Sequence, residues 1–147
     1  RWLYLATWLD IFSHKIVGWK VDESMTETLI IDALKQVIRR RQPPKGLIVH
    51  SDGGGQYASH NFRALLDTHN FKQSMTRKEN HYDNSFAESL FGRLKTELED
   101  LIFKGLEDAK LRIFEYINAY YNTIRKHSSI GYISPNQFEN QYWMEHQ

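Results

Sequence analysis

Residues 46–50, Gly-Leu-Ile-Val-His, run apolar without alternation and are followed at once by Ser-Asp-Gly-Gly-Gly. A short unbroken apolar run of this kind reads as a strand covered on both faces of a sheet. Asp52 then lies just past the carboxyl end of that strand, where open α/β sheets place their ligands. Three glycines beside it, Gly53 to Gly55, allow either a sharp turn or the close approach of a backbone or a phosphate. The plainer alternative is an ordinary flexible turn. No Gly-Lys-Ser/Thr follows the glycines, which argues against a nucleoside-triphosphate P-loop.

The rest of the chain supplies the layers that such a strand needs. The opening RWLYLATWLD and the later KIVGWKV are aromatic and β-branched, and they flank a short break, the pattern of a hairpin. Thr26 stands as an N-cap ahead of Leu29, Ile30, Ala33, Leu34, Val37 and Ile38 at helical spacing, and Pro43-Pro44 ends that helix. Ser59 caps a second helix through Phe62, Leu65 and Leu66, and FKQSM reads as another short strand. Two long helices are expected over Ser85 to Phe103 and Leu106 to Arg125, followed by a turn-rich and then amphipathic tail over 128–147. Strands first, alternating with helices later, predict a mixed α/β layer fold. At 147 residues one domain suffices.

A second acid sits in DNSFAESLFGRLKTEL. At 100° per residue, Glu88, Gly92, Lys95 and Glu99 fall on one stripe, with Leu90, Leu94, Leu98 and Leu101 on the far side. Glu88 and Lys95 then point the same way, about 10 Å apart along a helix axis. A helical Gly92 costs about 1 kcal/mol relative to alanine, which suggests that something bulky passes over it. An ordinary solvated face with a tolerated glycine is the bland reading. Two carboxylates from separate elements suit Mg²⁺ or Mn²⁺, and Lys95 would hold a phosphate as a point charge. His50 reads as a strand-end hydrogen-bonding residue rather than a ligand.

Net charge is only +1, but Lys35, Arg39, Arg40, Arg41 and Lys45 form a basic run free of acids. That run is either a solvated helix end, favoured by the helix dipole, or a nucleic-acid contact. With no cysteine, disulfides, thiolate zinc sites and cysteine nucleophiles are excluded. No apolar run approaches the ~18 residues of a membrane span, and no signal-peptide pattern opens the chain. A cytoplasmic protein, with no membrane partner, is the expectation.

Asp52 and Glu88 have 35 residues between them, 53 to 87. In that interval, and in the stretches YLATWLDIFSHKIVGW, HSDGGGQYAS, HYDNSFAESLFGRLKTEL and YINAYYNTIRKHSSIGYISPNQFE, the chain resembles the integrase core of bacterial insertion-sequence transposases and retroviral integrases. The resemblance implies a ribonuclease-H-like fold, a mixed five-stranded sheet flanked by helices. It implies DNA transposition by metal-dependent strand cleavage and transfer, with two Mg²⁺ (or Mn²⁺) ions. Asp52 and Glu88 match the second and third acids of the family triad, and Lys95 matches a lysine placed against DNA. Gly54, Gln56, Asn84, Arg93 and Arg125 are further expected DNA contacts, with Tyr120 and His127 as DNA-facing or packing residues. Transposon-end and target DNA, a homo-oligomer and association with the bacterial nucleoid are the implied partners and place.

The family's first aspartate lies on a strand that precedes Trp2, so residues 1–147 read as a catalytic core lacking its N-terminal strand, with 128–147 as C-terminal tail. Asp10 matches a different family aspartate, at a strand end. The missing strand normally lies between the LYLATWL and GLIV strands, so its absence predicts unpaired backbone groups along both, open to self-association. A fragment of this kind is expected to be inactive. The alternatives are a ribonuclease-H-like nuclease that hydrolyses without transfer, and a non-catalytic module that binds DNA or self-associates.

Overall fold

A computed structural model describes residues 2–76, 89–99 and 103–146; of Thr76, Ser89 and residues 95–99 it describes the backbone alone. The aromatic opening forms β1 (Trp2–Asp10), and a tight turn returns the chain antiparallel as β2 (Ile16–Asp22), so the expected hairpin is present. Helix α1 (Glu27–Arg41) starts at Thr26, whose carbonyl, rather than its side chain, accepts from Leu29 at 3.1 Å. Its C-cap Gln42 is left-handed and directly precedes the two prolines. The apolar run is β3 (Ile48–Asp52), followed by α2 (His60–Thr68), where the Ser59 hydroxyl accepts from the Phe62 N–H. Strand β4 (Lys72–Thr76) and strand β5 (Ser89–Glu99) complete the sheet. The chain ends in α3 (Leu106–Glu115), a π-helical turn at Tyr116–Tyr121 and α4 (Pro135–Glu145).

The sheet is five-stranded and mixed, in the order β2-β1-β5-β3-β4. Helices cover both faces. On one side Trp8, Val49 and Leu90 pack with Leu34 of α1 and Phe62 of α2. On the other side Leu3 and Val21 pack with Ala109, Ile113 and Ile117 of the α3 region. This is the α/β, ribonuclease-H-like layering that the sequence predicts.

The expected helix over Ser85 to Phe103 is not what the described part of that segment forms. Residues 89–99 make β5, which pairs antiparallel with β1 (Trp8 opposite Gly92) and parallel with β3 (Ser51 opposite Gly92). The strand thus fills the position between β1 and β3, where unpaired backbone groups are expected from the sequence. Both neighbours have ladder partners, and the reason for self-association through a gap in the sheet falls away. Gly92 also acquires a different explanation. A β-carbon there would stand 2.4 Å from two carbons of the Trp8 ring, so glycine makes room for a tryptophan rather than for something passing over a helix.

The tail is fastened to the body by charge. Arg41, at the end of α1, contacts both Asp10 and Glu139 of α4 at 2.9 Å, and the Ser13 hydroxyl donates to Glu139 at 2.6 Å. Burial pushes the Asp10 carboxyl up despite Arg41; at Glu139 burial is outweighed by the hydrogen bonds from Arg41 and Ser13, and its pKa is lowered. Removing the guanidinium takes from Asp10, 7% exposed, its described cation partner and leaves Glu139, 12% exposed, with only the more distant Lys15 at 3.9 Å. Breaking a fully buried pair costs ~3–5 kcal/mol; because the guanidinium itself is one-third exposed, Arg41→Met is expected to cost about 2–3 kcal/mol. Urea unfolding checks this, and a loss below ~0.5 kcal/mol would mean that water already screens the cluster.

Candidate active site and nucleic-acid interface

Asp52 is the last residue of β3 and is exposed. One carboxylate oxygen accepts the Gly54 N–H at 2.8 Å, which fixes the side chain over the turn. None of the three glycines has positive φ, so the turn does not use them for a left-handed backbone. Crowding and openness explain two of them. A β-carbon on Gly54 would come within 3.0 Å of Asp52 Oδ1 and 3.1 Å of Gln56 Oε1, while one on Gly55 would meet nothing within 4 Å. The turn is thus open at Gly55 and closed at Gly54. Tyr57, buried behind the turn, has its phenol pushed up by burial and by the Asp52 charge.

The backbone register decides what stands next to Asp52. Ser51 is opposite Gly92, so Arg93 is the next residue on the neighbouring parallel strand, about 5 Å across the sheet. Ser89 is opposite Ile48, four residues and roughly 13 Å of strand away from Asp52. Glu88 and Asn84 lie outside the described residues. Lys95 is on β5 opposite Leu5, not on a helix stripe with Glu88; its side chain is not among those described. His50 is buried within β3, where Nδ1 lies 3.0 Å from the Ser74 hydroxyl and the ring lies against Phe91. Asp10 is committed to Arg41, as described above.

Arg93 and Arg125, 32 residues apart in sequence (125 minus 93), line one groove of about 830 Å³ on the α3 side of the sheet. Its floor is Leu5, Thr7 and Leu9 of β1 with Phe91 of β5, and its wall is Tyr116, Tyr120 and Tyr121. His14 and His127 line it as well, with their rings 5.6 Å apart. Tyr120 and His127 therefore join Arg93 and Arg125, whereas Gly54 and Gln56 sit at the Asp52 turn. The wall depends on Asn122, a residue that sequence reading passed over. Its buried amide accepts from the Ile16 N–H at 2.9 Å and donates to the Ile16 carbonyl at 3.0 Å, as a strand neighbour would. This pins the end of the π-helical turn to the start of β2. A lone asparagine in an aromatic run carries no sequence signal for such a role.

The groove is cationic. Among the described residues that line it are Arg93, Arg112 and Arg125 and no carboxylate, although Arg112 reaches Asp108 outside it at 3.1 Å. Burial lowers the His14 pKa; burial first, then the charges of Arg125 and His14, lower that of His127. Folding therefore favours both imidazoles neutral. The unfolded chain binds more protons below its ordinary histidine pKa of ~6.5, so stability is lost as pH falls through that value toward the lower folded pKa values. The thermal midpoint is expected to drop between pH 7.5 and 5.5, and His14→Gln/His127→Gln should remove much of that drop. An equal drop in the double variant would place the pH dependence elsewhere.

Asp52 is one hard oxygen donor with open space beside it. Among the described residues no group of three or more Asp, Glu or His comes together to hold a metal ion, so they do not form a complete metal site. Among them, too, no helix is long and apolar enough to cross a membrane.

The exposed aspartate at the carboxyl end of β3 and the basic aromatic groove thus belong to one five-stranded mixed sheet. Residues 1–81 match the family model described as integrase core domain, and residues 88–142 match a second model of the same description. The chain belongs to the integrase core domain family. It is 44% identical over 138 residues to the transposase for insertion sequence element IS904 of Lactococcus lactis subsp. lactis (strain IL1403), covering 93% of this chain and 54% of that protein. It is 43% identical over 140 residues to the transposase InsF for insertion sequence IS3A of Escherichia coli (strain K12), covering 95% of this chain and 49% of that protein. The chain thus spans about half the length of the curated relatives it matches.

Proposed function

We propose that this chain is the DNA-cutting and DNA-joining core of an insertion-sequence transposase, with Asp52 as a catalytic carboxylate. The observation that carries the reading is Asp52 itself, exposed at the end of a central parallel strand and neighboured across the sheet by Arg93. Asp52 would act with Glu88 to hold a Mg²⁺ or Mn²⁺ pair, which when bound would supply activation of an attacking 3′-hydroxyl and stabilisation of the leaving oxygen. The chain's own contribution is positioning. Gly54 holds the Asp52 side chain, Gly55 leaves space for a phosphate, and Arg93 and Arg125 attract the DNA backbone. Lys95, Gln56 and Asn84 are proposed as further DNA contacts, and Asn84 and Glu88 lie outside the described residues.

The register of β5 sets a condition on this reading. Ser89 is paired near the start of β3, so Glu88 can act with Asp52 only if the chain around residue 89 reaches the other end of that strand. A homo-oligomer acting on paired DNA ends, at the nucleoid, belongs to the same proposal. The test is cleavage and joining of transposon-end DNA by the intact protein and by Asp52→Asn. Activity that survives the substitution would refute the assignment.

A further inference from the structure

The groove has a composition that phosphate attraction alone does not call for. Tyr116 and Tyr120 are 51% and 43% exposed, and no ion pair or burial demand accounts for two large rings left half in water. Their centroids are 5.5 Å apart on the turn held by Asn122. The Arg93 guanidinium carbon lies over the Phe91 ring at 5.8 Å and that of Arg125 over the Tyr121 ring at 5.5 Å, so both cations sit against aromatic rings. His127 also carries a buried Nε2 with no hydrogen-bond partner among the described residues.

We infer that the groove holds an unpaired stretch of DNA, its bases stacked on Tyr116 and Tyr120 and its phosphates met by Arg93, Arg112 and Arg125. Charge complementarity selects this occupant: three arginines and, among the described lining residues, no carboxylate call for a polyanion, and exposed rings call for planar apolar faces. Single-stranded nucleic acid combines the two, whereas duplex DNA keeps its base faces covered. The volume, about 830 Å³, is within the ~300–1,000 Å³ of sites that enclose small ligands, which suits a few nucleotides and not a double helix. The inference rests on the DNA-processing reading and makes it more specific. A strand separated from its partner would be held beside Arg93, the residue that neighbours Asp52.

The experiment is fluorescence anisotropy of the intact protein with labelled oligothymidylate, an abasic oligomer of equal length, and the corresponding duplex. Oligothymidylate is expected to bind at least about tenfold tighter than the abasic strand, and Tyr120→Ala to lose roughly tenfold, while Tyr120→Phe retains binding. Three arginine contacts predict a log–log salt slope of roughly −2, reduced in Arg125→Ala. Equal affinity for the abasic strand, or preference for the duplex, would overturn the inference. So would groove variants that alter self-association in sedimentation while leaving oligonucleotide binding unchanged, because the occupant would then be a second copy. Asp52→Asn separates the two proposals: it should bind oligothymidylate normally and fail to cleave. Cleavage retained there would sink the catalytic assignment and leave the groove's role standing.

Discussion

Asp52→Asn is expected to lower DNA cleavage and joining by the intact protein at least ~10³-fold, about 4 kcal/mol of barrier, with little change in folding. The substitution keeps the size of the side chain, and its amide oxygen still accepts the Gly54 N–H, so the turn at 53–55 stays intact. What it removes is the negative charge on an exposed oxygen beside an open glycine. Stability should hardly move, because Asp52 is exposed and has no cation partner within 4 Å among the described ion pairs. A quantitative end-cleavage and strand-transfer assay, with unfolding curves for both proteins, separates loss of chemistry from loss of fold. A loss of less than tenfold would mean that the carboxylate is not part of the chemistry.

Gly92→Ala gives the largest expected effect on stability, and its sign is informative. Trp8 is fully buried, stacks parallel on Phe62 at 6.0 Å, and donates its indole N–H to the Ile30 carbonyl at 3.2 Å, so its ring has nowhere to retreat. A methyl group 2.4 Å from two of its carbons is overpacking of the severe kind, and a loss of about 3 kcal/mol is expected. Were residues 89–99 a helix, the same change would stabilise by up to about 1 kcal/mol. Thermal or urea unfolding decides the sign. Partial recovery in Gly92→Ala/Trp8→Leu would tie the cost to that contact, and a stabilised Gly92→Ala would remove β5 from the centre of the sheet.

The same residues show where sequence reading succeeds and where it stops. The hairpin, α1, β3, β4 and the Ser59 cap were legible because each is set by local chemistry: β-branched runs, capping hydroxyls and paired prolines. The segment around Leu90, Leu94 and Leu98 was not. A spacing of four is shared by one face of a helix and, being even, by one face of a strand, so both patterns fit. Leu90 and Leu94 face the core, as either reading requires, but Gly92 faces it with them, which only the strand reading allows. What settles the matter is non-local: the backbone demand of β1 and β3 for a shared partner, and the Trp8 ring. For the candidate site, Asp52 was legible from its place after an apolar strand. The meeting of Arg93 and Arg125 was not, because a strand and a helical turn distant in sequence converge only once the sheet exists.

That sheet has an unusual seam. The β1–β2 hairpin and the β3–β4 pair share no hydrogen-bonded ladder with each other, and both are stitched through β5 alone. Synthesis runs from the N-terminus, so four of the five strands are made before the one that joins them. Until residue 99 has left the ribosomal tunnel, the two strand pairs lack the β5 ladder that joins them, and non-local closure of this kind is slow. The period between synthesis of β4 and docking of β5 is when this domain is most exposed to aggregation, and when a chaperone would have most to protect.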